Sequence, residues 1–192
     1  MADLSDKLRK NLQKQPPQLR AEWDARPAAV LVPIYQDENE DWHVLYTRRT
    51  DELEEHRGQV SFPGGLIEDG DGNAQQAALR EAFEELGIRP DDVEILGALD
   101  SLLTVTQFQI EPIVGRIPWP YQFNISTREV AKVFGVPVNW LSNPENIELQ
   151  YRQAVVPGRN IPVFAFRPYL DETIWGATAR ITLNLLERVR GR

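Results

Sequence analysis

The chain has 192 residues, 42% of them hydrophobic and 26% charged, which fits one soluble domain with an adequate core. A net charge of −8 argues against a nucleic-acid-binding surface, and zero cysteines exclude disulfides, zinc–thiolate sites and thiol catalysis. The two histidines, His43 and His56, cannot supply a multi-histidine metal site, and no apolar run is long enough to span a bilayer, so no membrane partner is expected.

The first residues, MADLSDKLRKNLQKQ, lack the apolar core of a signal peptide, and a cytoplasmic location is expected. They read as a short amphipathic helix with Leu4, Leu8 and Leu12 on one side, so residues 1–27 are a helix and linker ahead of a single domain over 28–192. Ala28–Tyr35 reads as a buried strand, Asp37–Asp41 as a polar turn and Trp42–Thr47 as a returning strand. A loop from Arg48 to Ser61 leads to the turn Phe62-Pro63-Gly64-Gly65. Asn73 then caps a helix over roughly Ala74–Leu86, Gln76 is spaced to complete a capping box, and Gly87 ends it. Val93–Leu103 and Gln109–Ile117 read as strands, Thr127–Phe134 as a short helix, and the stretch from Pro137 through Trp140-Leu141 as extended. Tyr151–Val156 and Val163–Phe166 resemble a hairpin, and Thr173–Val189 a final amphipathic helix capped by Asp171 or Thr173. Strands and helices intermix without strict βαβ alternation, which predicts one α/β domain.

The chemistry concentrates in the helix after the glycine turn, at Arg80-Glu81-Ala82-Phe83-Glu84-Glu85-Leu86-Gly87-Ile88. At 100° per residue, Leu79, Ala82, Phe83 and Leu86 fall on one apolar face, and Arg80, Glu81, Glu84 and Glu85 on the opposite arc. Glu81 and Glu85 are one turn apart with Glu84 beside them, and Arg80 offsets only part of their repulsion. A solvated acidic face would explain this much. Pro63 and the two glycines, however, allow the backbone to approach a bound group closely. Glycine turn, loop and acidic helix together suit a hard divalent cation such as Mg²⁺ and metal-assisted phosphate chemistry.

These residues resemble the Nudix box: Gly65, an acidic Asp71 six positions on, Arg80-Glu81, Glu84-Glu85 and Gly87-Ile88. Asp71 replaces the usual Glu, and eight residues rather than seven separate it from Arg80, an insertion common in the coenzyme A-cleaving branch. The resemblance implies a mixed β-sheet sandwiched between α-helices, an α/β/α arrangement. It also implies a Mg²⁺- or Mn²⁺-dependent pyrophosphohydrolase with Glu81 and Glu85 as metal ligands and a backbone carbonyl near Gly65 completing the shell. Glu84 is a third ligand or the base that activates water, and Arg80 orients it. Asp71 is a metal-site member or a shaper of the loop.

The segment before the box resembles the coenzyme A-cleaving members: Leu45-Tyr46-Thr47-Arg48-Arg49, Leu53, His56, Gly58-Gln59 and Phe62-Pro63-Gly64-Gly65 keep their order and spacing. Tyr46 stands where a second Leu is usual and Glu54 where an Arg is. Coenzyme A carries a 3′-phosphate besides its diphosphate, so its recognition wants additional cationic donors. Arg48, Arg49, His56, Arg57, Gly58, Phe62, Gly64 and Gly65 are therefore the expected substrate-binding set, although pairing with Asp51, Glu52, Glu54 and Glu55 would also explain the arginines. Ile174-Trp175-Gly176-Ala177-Thr178-Ala179-Arg180 resembles the last-helix start of the same branch, and Glu111 is a candidate further carboxylate. The implied substrate is coenzyme A and its thioesters, cleaved to 4′-phosphopantetheine and adenosine 3′,5′-bisphosphate by a monomer or homodimer. Another nucleoside diphosphate derivative such as ADP-ribose is the alternative, and a non-catalytic nucleotide sensor a more distant one.

Overall fold

A computed structural model describes residues 3–14, 17–18, 24–51, 57–153 and 160–191. In chain order the elements are α1 (Leu4–Lys14), β1 (Arg26–Gln36), β2 (Trp42–Arg49), β3 (Val60–Ser61), β4 (Gly64–Leu66), α2 (Ala74–Leu86), β5 (Glu94–Ala98), β6 (Leu102–Leu103), β7 (Phe108–Arg116), β8 (Val130–Pro137), α3 (Val138–Leu141), β9 (Ile147–Gln153), β10 (Asn160–Phe166) and α4 (Gly176–Arg190). An eight-stranded sheet runs β3-β2-β1-β7-β5, with β4 paired to β1, β6 to β7 and β8 to β2, while β9 and β10 form a separate hairpin. β1 and β7 are parallel from Arg26↔Phe108 to Ile34↔Arg116, and the other pairings are antiparallel.

β1 lies at the centre because its side chains are apolar on both faces, as a strand covered on both sides requires. Val32 and Ile34 join a cluster with Leu8, Leu12, Leu141 and Leu185, from α1, α3 and α4. Ala29, Leu31 and Tyr35 join the other cluster, with Ala77, Ala78, Ala82 and Leu86 of α2. Helices thus cover both faces of a mixed sheet, the α/β/α class expected. On the α4 side, Tyr46 Oη and Thr182 Oγ1 share a hydrogen bond at 3.0 Å, and burial raises the Tyr46 phenol well above its ordinary value. The N-terminal helix is part of this core, since Leu8 is fully buried and Leu12 nearly so. Among the described residues no helix is long and apolar enough to cross a membrane.

Four local expectations are corrected. Residues 127–134 are not a helix: a single turn, in which the Ser126 carbonyl accepts from the Glu129 and Val130 amides, gives way at Val130 to β8. β8 then pairs with β2 from Arg49↔Val130 to His43↔Pro137, and that ladder outweighs the local helical pattern. Val138–Leu141 is a short helix rather than an extended run, with Pro137 as its N-cap at φ −60°. The single strand expected over 93–103 is two, β5 and β6, with a register shift between Ile95 and Gly97. α4 begins at Gly176, with Trp175 at the N-cap and no side-chain cap from Asp171 or Thr173. The hairpin is present, β9 pairing with β10 from Asn160↔Gln153 to Phe166↔Ile147, and residues 154–159 between them, including the expected strand end through Val156, lie outside the described residues.

Leu8→Ala leaves a void between α1 and the sheet and is expected to destabilise the protein by ~2–5 kcal/mol, read from the shift of a urea unfolding midpoint. No change would mean that α1 is not docked in solution.

Candidate active site

The helix that carries the acidic residues is fixed at both ends. Asn73 Oδ1 accepts from the Gln76 amide at 2.9 Å, while Gln76 Oε1 accepts from the Gly72 amide at 2.8 Å, one residue beyond the N-cap amide that a standard capping box uses. Gly87 closes the helix in the left-handed region, φ 71°, and a Cβ there would lie 2.7 Å from Asn124 Cβ. Along the helix the small residues Ala77, Ala78 and Ala82 face the sheet and allow a close approach. The buried arc is rotated from the expected one. Phe83 is 52% exposed, and Glu85 is only 3% exposed.

The glycine turn is β4, wedged beside β1 with Gly64 opposite Val30 and Gly65 opposite Ala29. A Cβ on Gly64 would sit 2.4 Å from the Ala29 carbonyl oxygen and 2.7 Å from Val30 Cα, so the strand could not enter. A Cβ on Gly65 would sit 2.3 Å from Glu81 Oε1. The two glycines therefore serve different ends: Gly64 admits the strand, and Gly65 leaves room for the Glu81 carboxylate against the backbone.

Arg80 ties turn, loop and helix together. Its Nε and Nη2 donate to the two Asp71 oxygens at 3.0 and 2.9 Å, and Nη2 also donates to the Leu66 carbonyl at 3.1 Å. Nη1 donates to Glu81 Oε1 at 2.9 Å and Glu84 Oε2 at 3.1 Å. The Arg80 bond, helped by the Glu68 amide, holds the Asp71 carboxyl below its ordinary value. Asp71 therefore shapes the loop by holding Arg80. Glu81 carries an opposite balance: burial raises its carboxyl and Arg80 opposes the rise.

Beyond Glu81 lies a cleft of about 1380 Å³, lined at one end by Arg49, Gly64, Gly65, Glu81, Glu85 and Glu129. Burial pushes the Glu85 carboxyl up to about 8; Arg49 and a Gly64 backbone hydrogen bond oppose this, and Glu129 and Glu81 add to it. Arg49 Nε is buried without a hydrogen-bond partner among the described residues. Among those residues no three carboxylate or histidine groups form a ready metal cage. The donor set nevertheless fits a hard divalent cation: two carboxylates one helical turn apart, one of them buried among like charges, beside backbone left bare by Gly65.

The substrate-binding set expected from sequence is divided by the fold. Side chains alternate along β2, so Arg49 faces the cleft while Arg48 turns away to Asp51 at 3.2 Å and Glu172 at 3.8 Å. Phe62 is a buried wall of the cleft, its ring 4.9 Å from that of Tyr46. Gly58, at φ 62°, packs where a Cβ would be 2.8 Å from Asp51 Oδ1, so it supports the loop rather than the cleft. Arg57 is exposed, and His56 lies outside the described residues. Glu84 is beside Glu81 but its side chain is 54% exposed and turned to Arg80. Glu111, opposite Ala29 on β7, is absent from the cleft lining, and burial raises its carboxyl. Glu129 is the residue that sequence reasoning missed. It is positioned by the Ser126 turn, whose amide donates to the Glu85 carbonyl, and by its own carbonyl accepting from the Thr50 amide.

Gly64→Ala is expected to cost roughly 1–3 kcal/mol, because the clash is with backbone. Gly65→Ala is expected to leave the urea midpoint almost unchanged, because the Glu81 carboxylate can swing aside, yet to weaken Mn²⁺ binding measured by calorimetry. Equal stability losses in both, with Mn²⁺ binding intact in Gly65→Ala, would contradict this division.

Residues 25–155 match the NUDIX domain. An uncharacterized Nudix hydrolase, NudL, from Enterobacter sp. (strain 638) is 39% identical over 163 residues, covering 83% of this chain and 81% of its own. Its namesake from Pectobacterium atrosepticum is 36% identical over 180 residues, covering 92% and 90%. Among solved structures, a MutT/nudix family protein from Enterococcus faecalis superposes with a TM-score of 0.55 at 16% identity, covering 100% of this chain and 71% of its own. With the box helix, its glycine turn and the sandwich all in place, the chain belongs to the Nudix hydrolase family.

Proposed function

We propose that the protein hydrolyses the diphosphate bond of coenzyme A and its thioesters, giving 4′-phosphopantetheine and adenosine 3′,5′-bisphosphate. The observation that carries this reading is the shape of the cleft. Its acidic end continues between walls that include Leu102, Leu103, Val105, Leu149 and Phe164. At about 1380 Å³ it exceeds the roughly 300–1,000 Å³ usual for a small-ligand site. Leu103, Val105 and Leu149 are 45%, 71% and 54% exposed, leaving apolar surface open along it. Such a cleft suits a diphosphate flanked by two sizeable groups, as coenzyme A has. The sequence motif from Leu45 to Gly65, by the order and spacing of its residues, supports the same substrate.

Glu81 and Glu85 would hold Mg²⁺ or Mn²⁺, which when bound supplies charge neutralisation at the diphosphate oxygens and acidifies water. Arg49, whose buried Nε has no hydrogen-bond partner among the described residues, is our donor to a diphosphate oxygen. Glu129 faces the cleft and couples electrostatically to Glu81 and Glu85, which makes it our first choice as proton acceptor. Glu84, half exposed and held by Arg80, is the second choice. Arg80 keeps Glu81 oriented while Asp71 fixes Arg80 in turn.

Incubating the pure protein with coenzyme A and Mg²⁺ is expected to yield both products by chromatography. Intact coenzyme A alongside rapid cleavage of ADP-ribose would replace this substrate with the alternative one. Glu129→Gln is expected to lower kcat by about 10²–10⁴-fold with little change in KM. A comparable kcat loss in Glu84→Gln, with Glu129→Gln close to wild type, would transfer the proton-acceptor role to Glu84.

A further inference from the structure

Two arginines in the cleft are held in a way the acidic end does not explain. Arg26, at the start of β1, lies over the Phe108 ring with its guanidinium carbon 4.8 Å from the centroid. Arg180, in α4, lies over the Phe164 ring at 5.4 Å. All four side chains line the cleft. Arg9, Arg48, Arg80, Arg116, Arg167 and Arg188 each reach a carboxylate. Arg26 and Arg180, like Arg49, Arg89, Arg128 and Arg190, reach none among the described residues, and what sets these two apart is that each lies over a ring within the cleft. Stacking on a ring orients a guanidinium through its face and leaves its edge N–H groups free, the geometry that receives phosphate oxygens. Each is therefore restrained in orientation but lacks an anion.

For Arg26 the register of β1 points to an anion away from the diphosphate. Arg26 is three residues along β1 from Ala29, the partner of Gly65, so about 10 Å of strand separates it from the acidic end. Arg48, which sequence assigned to additional phosphate contacts, is committed to Asp51 and Glu172 outside the cleft. We propose that Arg26 and Arg180 form a second anion subsite, which takes a phosphomonoester borne by the substrate away from its diphosphate. This rests on the coenzyme A reading, where the group is the 3′-phosphate, and it makes the two arginines the determinants that separate coenzyme A from its 3′-dephospho form.

The subsite is tested by binding rather than turnover. Calorimetry compares adenosine 3′,5′-bisphosphate with adenosine 5′-monophosphate on the wild type, Arg26→Gln and Arg180→Gln, with urea midpoints confirming that each variant is folded. The wild type is expected to favour the bisphosphate by about tenfold or more, the value of one charge-assisted contact pair. Each variant is expected to bring that ratio toward one while leaving monophosphate affinity unchanged, and Arg→Lys is expected to retain an intermediate ratio. No preference in the wild type, an unchanged ratio in both Gln variants, or equal weakening of both ligands would overturn the proposal. Neither ligand contains a scissile diphosphate, so a failure to cleave coenzyme A sinks the catalytic reading without touching this result.

Discussion

The Arg80 guanidinium is the joint on which the acidic site depends. One planar group, through five donated hydrogen bonds, joins a strand end, a loop carboxylate and two carboxylates of one helix. A lysine could supply the charge but not the fork that spans Asp71 and Leu66 together. The positive charge is held firmly because Asp71 and Glu81 both lean on it. The consequence is directional: Glu81 is drawn toward Gly65, Glu84 is held toward solvent, and Glu85 is left without an arginine of its own on the helix. Its compensation comes from Arg49, on a different strand.

That allocation leaves the site short of positive charge by design of the local chain. Burying a carboxylate beside two others is unfavourable, and a fold optimised only for stability would have placed an apolar residue at 85. The surrounding elements support the arrangement instead. Alanines bring the helix close to the sheet, the Ser126 turn is bonded to the end of that helix, and Gly65 clears the space beside Glu81. Local rules are broken where the structure over-determines the outcome, which is the pattern of a working site.

How much of this was legible follows the range of the interactions. The box helix came out at Ala74–Leu86 because its signals, Asn73 and Gly87, act within one turn. The α/β class followed from strand and helix patterns that intermix without strict alternation, and the α/β/α sandwich was implied by the resemblance to the Nudix box. The buried arc of the helix was misjudged because apolar character argues for Phe83 inside and Glu85 outside, whereas the site requires the reverse. Glu129 was hidden because Thr127–Phe134 has helical local preference and becomes a strand through pairing with β2, some eighty residues away in sequence. Arg48 and Arg49 could not be separated by residue type; only the alternation of a strand already placed in the sheet separates them.

The same distinction of range divides chemistry from selectivity. Asp71, Arg80, Glu81 and Glu85 come from one short stretch, and their mutual geometry is set by a turn, a cap and a helix. The cleft beyond them is assembled from β1, the β6–β7 connection, the β9–β10 hairpin and the start of α4. These segments are far apart in sequence and meet only in the tertiary fold, β9 and β10 forming a hairpin separate from the main sheet. Arg26 and Arg180 exemplify this: they come from opposite ends of the domain and are oriented by rings from two further strands. A reaction common to a family can thus stay encoded locally while the group recognised beside the scissile bond is decided by contacts that no single motif contains.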